Sequence, residues 1–335
     1  MNRSARSSVF VSIVTRNEEP FLRRCLESLD SQTVKVKVGI FDNDSCDQTL
    51  DIARSLGIST VRSKENVGYC RGHNLNLRQE DFEYALLLNA DTVLDSDYIE
   101  RMIDSLSANE RAGMACGKVF RMDKDGEKIK GPAGYLLDTT GIYFTPTQRH
   151  FDRGSNEEDL GQYDRVEYVF GVSGAILFCK REMIEDLKVG GEFLDEDFFA
   201  YREDADLAWR AQLRGWKAVY EPGASARHCR AVLPARRREL ESMINYHSVK
   251  NRYLMRTKNM DWAVWRKCFP YLWLRDSGIL AYMSLRERSS LAALSQVRQL
   301  RSQTREKRRV IQGSRTVPGD EIARWFSFRP VSFEI

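Results

Sequence analysis

The sequence lacks long apolar runs. It has no stretch that reaches the roughly 18 apolar residues needed to cross a bilayer. The segment Met1–Ser8 carries Arg3 and Arg6 but has neither a long apolar core nor a cleavage site. We therefore expect neither secretion nor a transmembrane helix, and we expect a cytoplasmic protein.

Paired cysteine motifs are also absent. The seven cysteines form no C-x-x-C pair and no zinc-like cluster, and their number is odd, so reduced thiols in a cytosolic protein are the simplest explanation. The formal net charge of +4 over 335 residues does not by itself indicate a nucleic-acid-binding protein. The hydrophobic content of 42% is enough for a sizeable core, which predicts one large domain with an appendage.

The stretch Tyr84–Thr92 begins as a continuous apolar run and ends abruptly in polar residues. This pattern predicts a strand buried on both faces of an α/β sheet. Asn89 and Asp91 would lie at its carboxyl end, the edge where open α/β sheets bind ligands. A carboxylate beside bound phosphates is a usual way to hold Mg²⁺ or Mn²⁺. The alternative is that both residues only cap a turn.

Strands and helices alternate along the first part of the chain. Val9–Val14, Val36–Phe41 and a short segment at Thr60–Arg62 are predicted strands, and helical segments separate them. This order predicts an α/β fold with a doubly wound, mostly parallel sheet flanked by helices.

Three strand ends should bring polar side chains to one edge of this sheet. These side chains are Thr15, Asn17, Asp42, Asp44, Asn89 and Asp91. Such an edge suits a nucleotide, because carboxylates accept hydrogen bonds from base and ribose while a metal ion takes the diphosphate. Arg71 could add positive charge at the phosphates. An ordinary turn and helix cap is the other reading of Asp42–Ser45.

Several short motifs occur in an order that resembles the family 2 glycosyltransferases of the GT-A fold, and most closely their rhamnosyltransferase-like members. The motifs are Ser-Ile-Val-Thr-Arg-Asn (12–17), Cys-Leu-Glu-Ser-Leu (25–29), Phe-Asp-Asn-Asp-Ser (41–45), Asn-Val-Gly-Tyr-Cys-Arg-Gly-His-Asn (66–74) and Leu-Leu-Leu-Asn-Ala-Asp-Thr (86–92). The resemblance covers about Val9–His228. It implies a GT-A-type sheet with Asn66 and Gly68 among the donor-binding residues. The family's Asp-x-Asp metal motif is Asn89-Ala90-Asp91 here, which leaves one firm carboxylate.

The second candidate centre is Glu203-Asp204. A helix that ends at Gly215 would place both acids at its N-terminus, where the helix dipole favours carboxylates. Alternatively, both acids only stabilise the N-terminus of the helix. The resemblance implies that Asp204 is the general base that deprotonates the acceptor hydroxyl, with Glu203 supporting it.

His228 closes the catalytic part, and a lone histidine is more often structural than a ligand. The resemblance implies a position against the metal or the diphosphate, so His228 joins Asp91 as a predicted ligand of Mg²⁺ or Mn²⁺.

Two further segments each have two possible roles. Arg121–Asp164 is either an acceptor-recognition insertion or a solvated loop. The small residues Gly171–Ala175 allow close approach of either a substrate or another backbone.

The composition changes after residue 230. Trp262–Met283 is rich in aromatic residues but is interrupted by charges, and basic residues dominate Arg286–Arg309. The pattern suits an anionic leaflet at the inner face of the membrane, and a solvated face packed against the catalytic domain explains it nearly as well. We predict a catalytic domain at 1–230 and a helical extension at 231–335. No nucleic-acid recognition motif is found.

These expectations favour an inverting glycosyltransferase. It would move a sugar from a nucleotide-diphosphate donor, with rhamnose from dTDP-rhamnose as the candidate, to a hydroxyl of a glycan or lipid-linked glycan. Two alternatives remain. One is a nucleotidyltransferase with a similar sheet, which would not need Glu203 and Asp204, and the other is a catalytically inactive membrane-bound scaffold.

Overall fold

The computed structural model describes residues 8–230, 242–286 and 291–335, and of residues 242 and 283–286 it describes only the backbone. The predicted features at residues 1–7, the start of the predicted extension at 231–241 and part of the basic stretch at 287–290 lie outside the described residues.

The first half of the chain alternates strands and helices as predicted. The strands are β1 (Val9–Thr15), β2 (Val36–Asp42), β3 (Ser59–Arg62) and β4 (Tyr84–Leu88), and the helices are α1 (Leu22–Asp30), α2 (Thr49–Ser55) and α3 (Tyr69–Leu77). β1 lies between β2 and β4, β3 follows β2, and all of these pairs are parallel. The carboxyl ends of β1, β2 and β4 therefore meet at one edge.

The second half adds shorter strands and one long pair. The strands are β5 (Thr92–Leu94), β6 (Ala112–Arg121), β7 (Leu137–Thr139), β8 (Ile142–Phe144), β9 (His150–Asp152), β10 (Glu167–Val169), β11 (Ile176–Lys180), β12 (Lys217–His228) and β13 (Phe333–Glu334). The helices are α4 (Tyr98–Ser107), α5 (Arg181–Asp186) and α6 (Glu203–Arg214). β6 and β12 are parallel, whereas β11 is antiparallel to β4 and β6.

The main sheet has the strand order β13-β10-β12-β6-β11-β4-β1-β2-β3, with β5 on β12 and β7 on β6. The predicted α/β class with a central, mostly parallel sheet is confirmed, and the antiparallel pairs make the sheet mixed. The segment predicted as an insertion, residues 121–164, contributes β7 and the separate β8–β9 hairpin.

The period-two alternation of strand side chains divides the core into two layers. Val11 and Ile13 of β1 face one layer with Leu86 and Leu88. Phe10 faces the other with Leu87, because successive strand residues point to opposite faces. Burial of each large aliphatic side chain contributes about 1.5–3 kcal/mol. Both faces of β4 are therefore covered, which fixes its register and the position of its polar end.

The C-terminal helices complete the second layer. They are α7 (Ser242–Asn259), α8 (Trp262–Arg286), α9 (Leu291–Gln299), α10 (Arg301–Gly313) and α11 (Gly319–Arg324). Leu254, Ile311 and Phe326 belong to the same apolar cluster as Trp209 of α6. The boundary at residue 230 stays a prediction. Among the helices described here, not one combines the length and the apolar character that a bilayer crossing requires.

Candidate active site

The ends of β1 and β2 form the first part of the predicted edge. Thr15 and Asp42 are register partners, and the Thr15 hydroxyl donates to Asp42 Oδ1 at 3.1 Å. Asp42 is fully buried and also accepts hydrogen bonds from the Ser45 amide at 3.1 Å and the Ser45 hydroxyl at 2.5 Å. The carboxylate is thus held in a fixed orientation.

Asn17 and Asp44 stand at the turns that leave these strands. Both adopt left-handed backbone conformations, with φ of 59° and 62°, which asparagine and aspartate tolerate better than most residues. Asn17 Oδ1 accepts the Cys46 amide at 2.9 Å, which joins the two turns. Both side chains are exposed on the edge.

Asn43 is a site residue that the sequence reasoning missed. It is buried between Asp42 and Asp44, accepts the Val67 amide at 3.0 Å and donates to the Gly68 carbonyl at 3.3 Å. It therefore ties the end of β2 to the 66–68 loop. Its place between two predicted donor-binding acids was the signal that could have identified it.

Gly68 has φ of 88°, and a Cβ there would lie 2.6 Å from the Phe199 ring. Asn66 Oδ1 accepts the Gly68 amide at 3.0 Å, and the Cys70 amide donates to the Phe199 carbonyl at 3.0 Å. The glycine therefore lets the 66–68 loop pack directly on the segment that precedes the Glu203-Asp204 pair.

Arg71 lies beside Glu196, with 3.7 Å between Nε and Oε2, and its side chain is 55% exposed. Within the described parts of the chain, no contact joins Arg71 to Asp91 or His228. The structure does not bring this predicted phosphate ligand to the metal-binding candidates.

Asp91 and His228 meet where β4 and β12 end. Thr92, the residue after Asp91, is the register partner of His228 in the β5–β12 pair. His228 Nε2 lies 3.3 Å from Asp91 Oδ1, and its Nδ1 lies 2.8 Å from Asp138 Oδ2. Burial would lower the pKa of His228, but Asp138 and Asp91 outweigh it and raise the pKa to about 10.

The acids behind His228 form a charged chain that sequence reasoning missed. Arg230 Nε lies 2.9 Å from Asp138 Oδ1, and Arg230 Nη2 lies 2.6 Å from Asp152 Oδ2. Asp138 is in β7 and Asp152 is in β9, so both acids come from the segment at residues 121–164. No pattern in residues 121–164 marked either acid in advance.

The chemistry of the donor set fits a divalent cation. No group of three or more His, Cys, Asp or Glu side chains in residues 8–230, 242–286 and 291–335 is arranged to hold a metal by itself. Mg²⁺ and Mn²⁺ commonly take one or two protein ligands and complete their shell with substrate phosphates and water. Asp138 on Nδ1 is the carboxylate partner that orients a metal-binding histidine. Asp91 and His228 therefore suit a metal that arrives with a diphosphate.

Glu18 is a further acid near this centre. Burial and the neighbouring charges of Asp91 and Asp47 raise its pKa to about 8, so it is mostly protonated at neutral pH. It directly follows Asn17, and its position after β1 was the available sequence signal.

The predicted base lies at the N-terminus of α6, which begins at Glu203 and ends before Gly215, as expected. Asp204 Oδ2 accepts the Gly174 amide at 3.1 Å, and Oδ1 accepts the Ala205 amide at 2.7 Å. The Tyr69 hydroxyl donates to the Gly174 carbonyl at 2.7 Å. The small residues before β11 thus admit the Asp204 carboxylate.

Glu203 and Asp204 are a coupled pair with different environments. Burial and the charge of Asp204 raise the pKa of Glu203 to about 8, and Glu203 Oε2 makes no hydrogen bond within the described parts of the chain. Burial also raises the pKa of Asp204, but two backbone amides favour its charged form. At neutral pH the arrangement therefore favours a neutral Glu203 beside an ionised Asp204.

A strained turn precedes this pair. Phe199, Tyr201 and Arg202 have φ of 66°, 72° and 69°, conformations that cost about 1–3 kcal/mol each. Asn251 of α7 holds the turn, because its Nδ2 donates to the carbonyls of Phe198, Ala200 and Tyr201 at 2.7–3.0 Å. α7 thereby fixes the turn that precedes the candidate base.

The two centres flank the start of β11. The Asn89 amide donates to the Ala175 carbonyl at 2.9 Å, and Gly174, one residue earlier, donates to Asp204. The end of β4 that carries Asp91 is thus directly beside the backbone that binds the candidate base. A candidate metal-binding edge and a candidate carboxylate base therefore lie on one surface, a combination that suits sugar transfer from a nucleotide.

Residues 10–166 match the family model described as Glycosyl transferase family 2. This match, over slightly less than half of the chain, supports a family 2 glycosyltransferase. The matched residues include Asp91 and the other predicted donor-binding residues, whereas Glu203, Asp204 and His228 lie beyond them. The poly-beta-1,6-N-acetyl-D-glucosamine synthase of Staphylococcus aureus strain COL is 23% identical over 196 residues, which are 56% of this chain and 41% of that protein. The chain thus spans about two fifths of this curated relative.

Solved structures extend the likeness over nearly the whole chain. S. aureus TarS 1–349 in complex with UDP-GlcNAc has a TM-score of 0.54 at 13% identity and covers 92% of this chain and 91% of its own. The mannosyltransferase PcManGT from Pyrobaculum calidifontis, in complex with GDP-Man and Mn²⁺, has a TM-score of 0.52 at 16% identity, with 96% and 88% covered. Identities this low establish a shared GT-A-like fold for the glycosyltransferase, and nothing finer.

Proposed function

We propose that this glycosyltransferase transfers a sugar from a nucleotide-diphosphate donor to a hydroxyl of a glycan or lipid-linked glycan, with inversion at the anomeric carbon. The observation that supports this most directly is that Asp204 lies across the start of β11 from Asp91 and His228. A nucleotidyltransferase would need the donor edge but would not need this carboxylate pair. The inactive scaffold would need neither centre.

We assign donor binding to the edge formed by the β1, β2 and β4 ends and the 66–68 loop. Its predicted members are Thr15, Asn17, Asp42, Asp44, Asn66, Gly68, Asn89 and Asp91, with the addition of Asn43. Solved proteins of this fold bind UDP-GlcNAc and GDP-Man. The motif resemblance favours dTDP-rhamnose as the donor.

Asp91 and His228 would hold Mg²⁺ or Mn²⁺, and this assignment is supported by the Mn²⁺ in the related mannosyltransferase. When bound, the cation neutralises the charge that develops on the departing diphosphate. For His228 to bind it, Nε2 must lose its proton, and Asp138 holds the opposite nitrogen.

The protein's own part in the reaction is proton transfer and positioning. Asp204 accepts the proton of the acceptor hydroxyl, and the acceptor oxygen forms its bond to the anomeric carbon as the bond to the diphosphate breaks. Direct displacement inverts the configuration at that carbon. Neutral Glu203 keeps a second negative charge away from Asp204.

We also propose that α8 lies on the inner face of the cytoplasmic membrane. Val264, Cys268 and Leu272 are buried on one side of this helix. Trp262 and Trp273 are 69% and 65% exposed on another side. An apolar stripe on the outside of a helix that cannot cross the bilayer is typical of interfacial helices.

The experiment that tests the enzymatic proposal is a thermal-shift titration with dTDP-, UDP- and GDP-sugars, each with and without Mn²⁺. A ligand that binds only the folded state raises its apparent stability. We expect one donor class to raise Tm, and Mn²⁺ to increase the shift. No shift with any donor would contradict the proposal.

A further inference from the structure

Tyr69 reaches the candidate base through a single glycine. It is the first residue of α3 and directly follows Gly68. Its hydroxyl donates to the Gly174 carbonyl at 2.7 Å, and the Gly174 amide donates to Asp204 Oδ2 at 3.1 Å. Tyr69 is not among the predicted donor-binding, metal-binding or catalytic residues, although Gly174 alone separates its hydroxyl from the Asp204 carboxylate.

The backbone of Gly174 depends on its neighbours for its orientation. Glycine lacks the Cβ atom that limits φ and ψ in other residues, so hydrogen bonds at its amide and its carbonyl help to determine where the amide points. A Cβ at this position would lie 3.3 Å from Glu203 Oε1, 3.4 Å from Asp204 Cβ and 3.5 Å from the Tyr69 hydroxyl. These three side chains therefore surround Gly174 closely.

The Tyr69 ring is itself held in place. It meets the His73 ring edge to face, with 4.3 Å between the ring centroids. His73 is fully buried, and its Nδ1 lies 2.8 Å from the hydroxyl oxygen of Ser12 in β1. Burial and the charges of Glu203 and Asp204 raise the pKa of Tyr69 well above its usual value. The hydroxyl therefore keeps its proton and stays a hydrogen-bond donor.

The Gly174 amide is important for the charge of Asp204. Burial raises the pKa of Asp204, and this amide is the strongest of the interactions that oppose the increase. The Ala205 amide also favours the charged form, but it belongs to the next residue of α6. The Gly174 amide comes from a separate segment, so its direction depends on what holds that segment. The charged groups that act on Asp204 are Glu203, Arg202, Arg230 and Asp152.

We propose that Tyr69 is a positioning residue for Asp204. Its hydroxyl holds the Gly174 carbonyl, and this contact keeps the Gly174 amide directed at the Asp204 carboxylate. Hydrogen bonds from backbone N–H groups stabilise the charged form of a carboxylate, which is the form that a general base requires. The role of Asp204 as base rests on the proposed function, whereas the coupling between Tyr69 and Asp204 can be measured without it.

The test is a double-mutant cycle on the full chain, with the wild type, Tyr69→Phe, Asp204→Asn and the double variant. Tyr69→Phe keeps the ring on His73 and removes only the hydroxyl. The charged form of Asp204 should lose more from this change than the protonated form. Chemical denaturation should therefore show a larger loss of stability at pH 7 than at pH 4.5, by about threefold or more in the folding equilibrium constant. With Asn at position 204, the loss should be the same at both pH values.

Tyr220→Phe is the matched control, because the Tyr220 hydroxyl also donates to a backbone carbonyl, that of Tyr163, at 2.8 Å. Its effect on stability should be the same at both pH values and in both backgrounds. A tyrosine that only stabilised the fold would behave in this way. Tyr69→Phe would therefore overturn the proposal if its loss of stability did not depend on pH, or if it were unchanged by Asp204→Asn.

Tyr69→Leu is a second variant, which removes the ring as well as the hydroxyl. Its total loss of stability should be larger because a packing contact is lost. The part of the loss that depends on pH and on Asp204 should equal that of Tyr69→Phe. A pH-dependent part that increased with the total loss would assign the effect to packing and contradict the positioning role.

A kinetic measurement connects this coupling to the reaction. It follows release of the nucleoside diphosphate, with Mn²⁺ and with water as the acceptor, from the dTDP-, UDP- or GDP-sugar that stabilises the protein. Tyr69→Phe should lower kcat about 3–10-fold at pH 7 and move the acid limb of the kcat profile to higher pH. The rise in Tm with donor should stay as in the wild type.

An acid limb that did not move would contradict the positioning role. If no donor raised the Tm of either protein, the proposed function would fail, and the result of the double-mutant cycle would still stand.

Discussion

Glu203 and Asp204 are adjacent residues whose carboxylates have different hydrogen-bond partners. Two backbone amides bind the Asp204 carboxylate, whereas one oxygen of Glu203 is buried without a hydrogen bond in the described structure. Because their charges are coupled, these surroundings favour the proton on Glu203, whose pKa burial and the charge of Asp204 raise to about 8. The assignment of roles follows from these surroundings, since both side chains are carboxylates.

Asp204→Asn should lower kcat by about 10²–10⁴-fold, the usual contribution of a positioned general base. The amide keeps the shape of the side chain, so the thermal shift with donor should stay as in the wild type. Glu203→Gln is the comparison, because it resembles the neutral form of Glu203, and it should lower kcat by less than about tenfold. Turnover retained by Asp204→Asn would refute the base assignment.

Glu203 also predicts how stability depends on pH. Its pKa rises from 4.5 in the unfolded reference to about 8 in the fold, so between these values the folded state binds more protons than the unfolded state. The free energy of unfolding therefore falls as pH increases from about 4.5 to about 8. Glu203→Gln should flatten the Tm profile between pH 5 and about 8 and raise Tm at the alkaline end. A profile parallel to that of the wild type would contradict the raised pKa.

Asp138 should control metal affinity through His228. Asp138→Asn removes the charge that holds Nδ1, and such partners typically contribute 10–100-fold to metal affinity. The Mn²⁺ concentration that strengthens the donor-induced thermal shift should increase by about this factor. Asp125→Asn, an exposed acid in the same insertion, should leave it unchanged.

The site residues that the sequence predicts are marked by local patterns, whereas the residues that it misses are defined by contacts between distant segments of the chain. Asp91 and Asp204 stand at the end of an apolar run and at the start of a periodic helix, so local patterns marked them. Asp138 and Arg230 are relevant to the site because Asp138 contacts His228 and Arg230 contacts Asp138. These residues come together only because β7 and β12 both pair with β6. Such contacts depend on strand order, which local patterns do not encode.

At the level of elements, α7 supports the turn at residues 198–202, which precedes the candidate base. Its Asn251 is fully buried and donates hydrogen bonds to three backbone carbonyls of residues 198–201. Without this side chain, those carbonyls would lack these hydrogen bonds. The strained conformations of Phe199, Tyr201 and Arg202 persist because this side chain and the packing of His247 on the Phe199 ring hold them.

Asn251→Ala should destabilise the fold by about 1–3 kcal/mol, because it leaves buried carbonyls without donors. The turn should also relax, which lowers kcat more than it changes donor binding. Chemical denaturation and steady-state kinetics measure the two effects. Asn245→Ala on the same helix is partly exposed and should change stability by less than about 0.5 kcal/mol.

Elements with clear periodicity or clear end signals were predictable, and the strands of three residues mostly were not. α6 has both an acidic start and a glycine stop, and its predicted end at Gly215 is confirmed. Within residues 121–164 the sequence predicts a strand near Tyr135–Leu137 and no hairpin, whereas the structure has β7 at Leu137–Thr139 and the β8–β9 hairpin after it. Strands of three residues are too short to show alternation, and their positions are set by pairing with β6 and with each other.

At the scale of the whole molecule, the C-terminal helices connect the active site to an exposed apolar face. Their inner sides hold the catalytic turn and share a core cluster with α6. Their outer side carries Trp262, Trp273 and Leu274, which are 65–69% exposed. Exposed arginines on α10 add positive charge. This combination is the basis for the proposed contact of α8 with an anionic membrane surface.

Leu274→Ala should therefore weaken binding to anionic vesicles. A leucine side chain that enters the bilayer interface contributes up to about 1.5–3 kcal/mol, so the partition coefficient should fall by about tenfold in a flotation assay. Leu160→Ala is a close control, because Leu160 is 68% exposed and Leu274 is 69% exposed, but Leu160 belongs to the insertion at 121–164. Equal flotation of both variants would show that exposure alone sets the affinity, and α8 would then be a solvated face. A loss confined to Leu274→Ala would place α8 at the lipid surface, as expected of an interfacial helix.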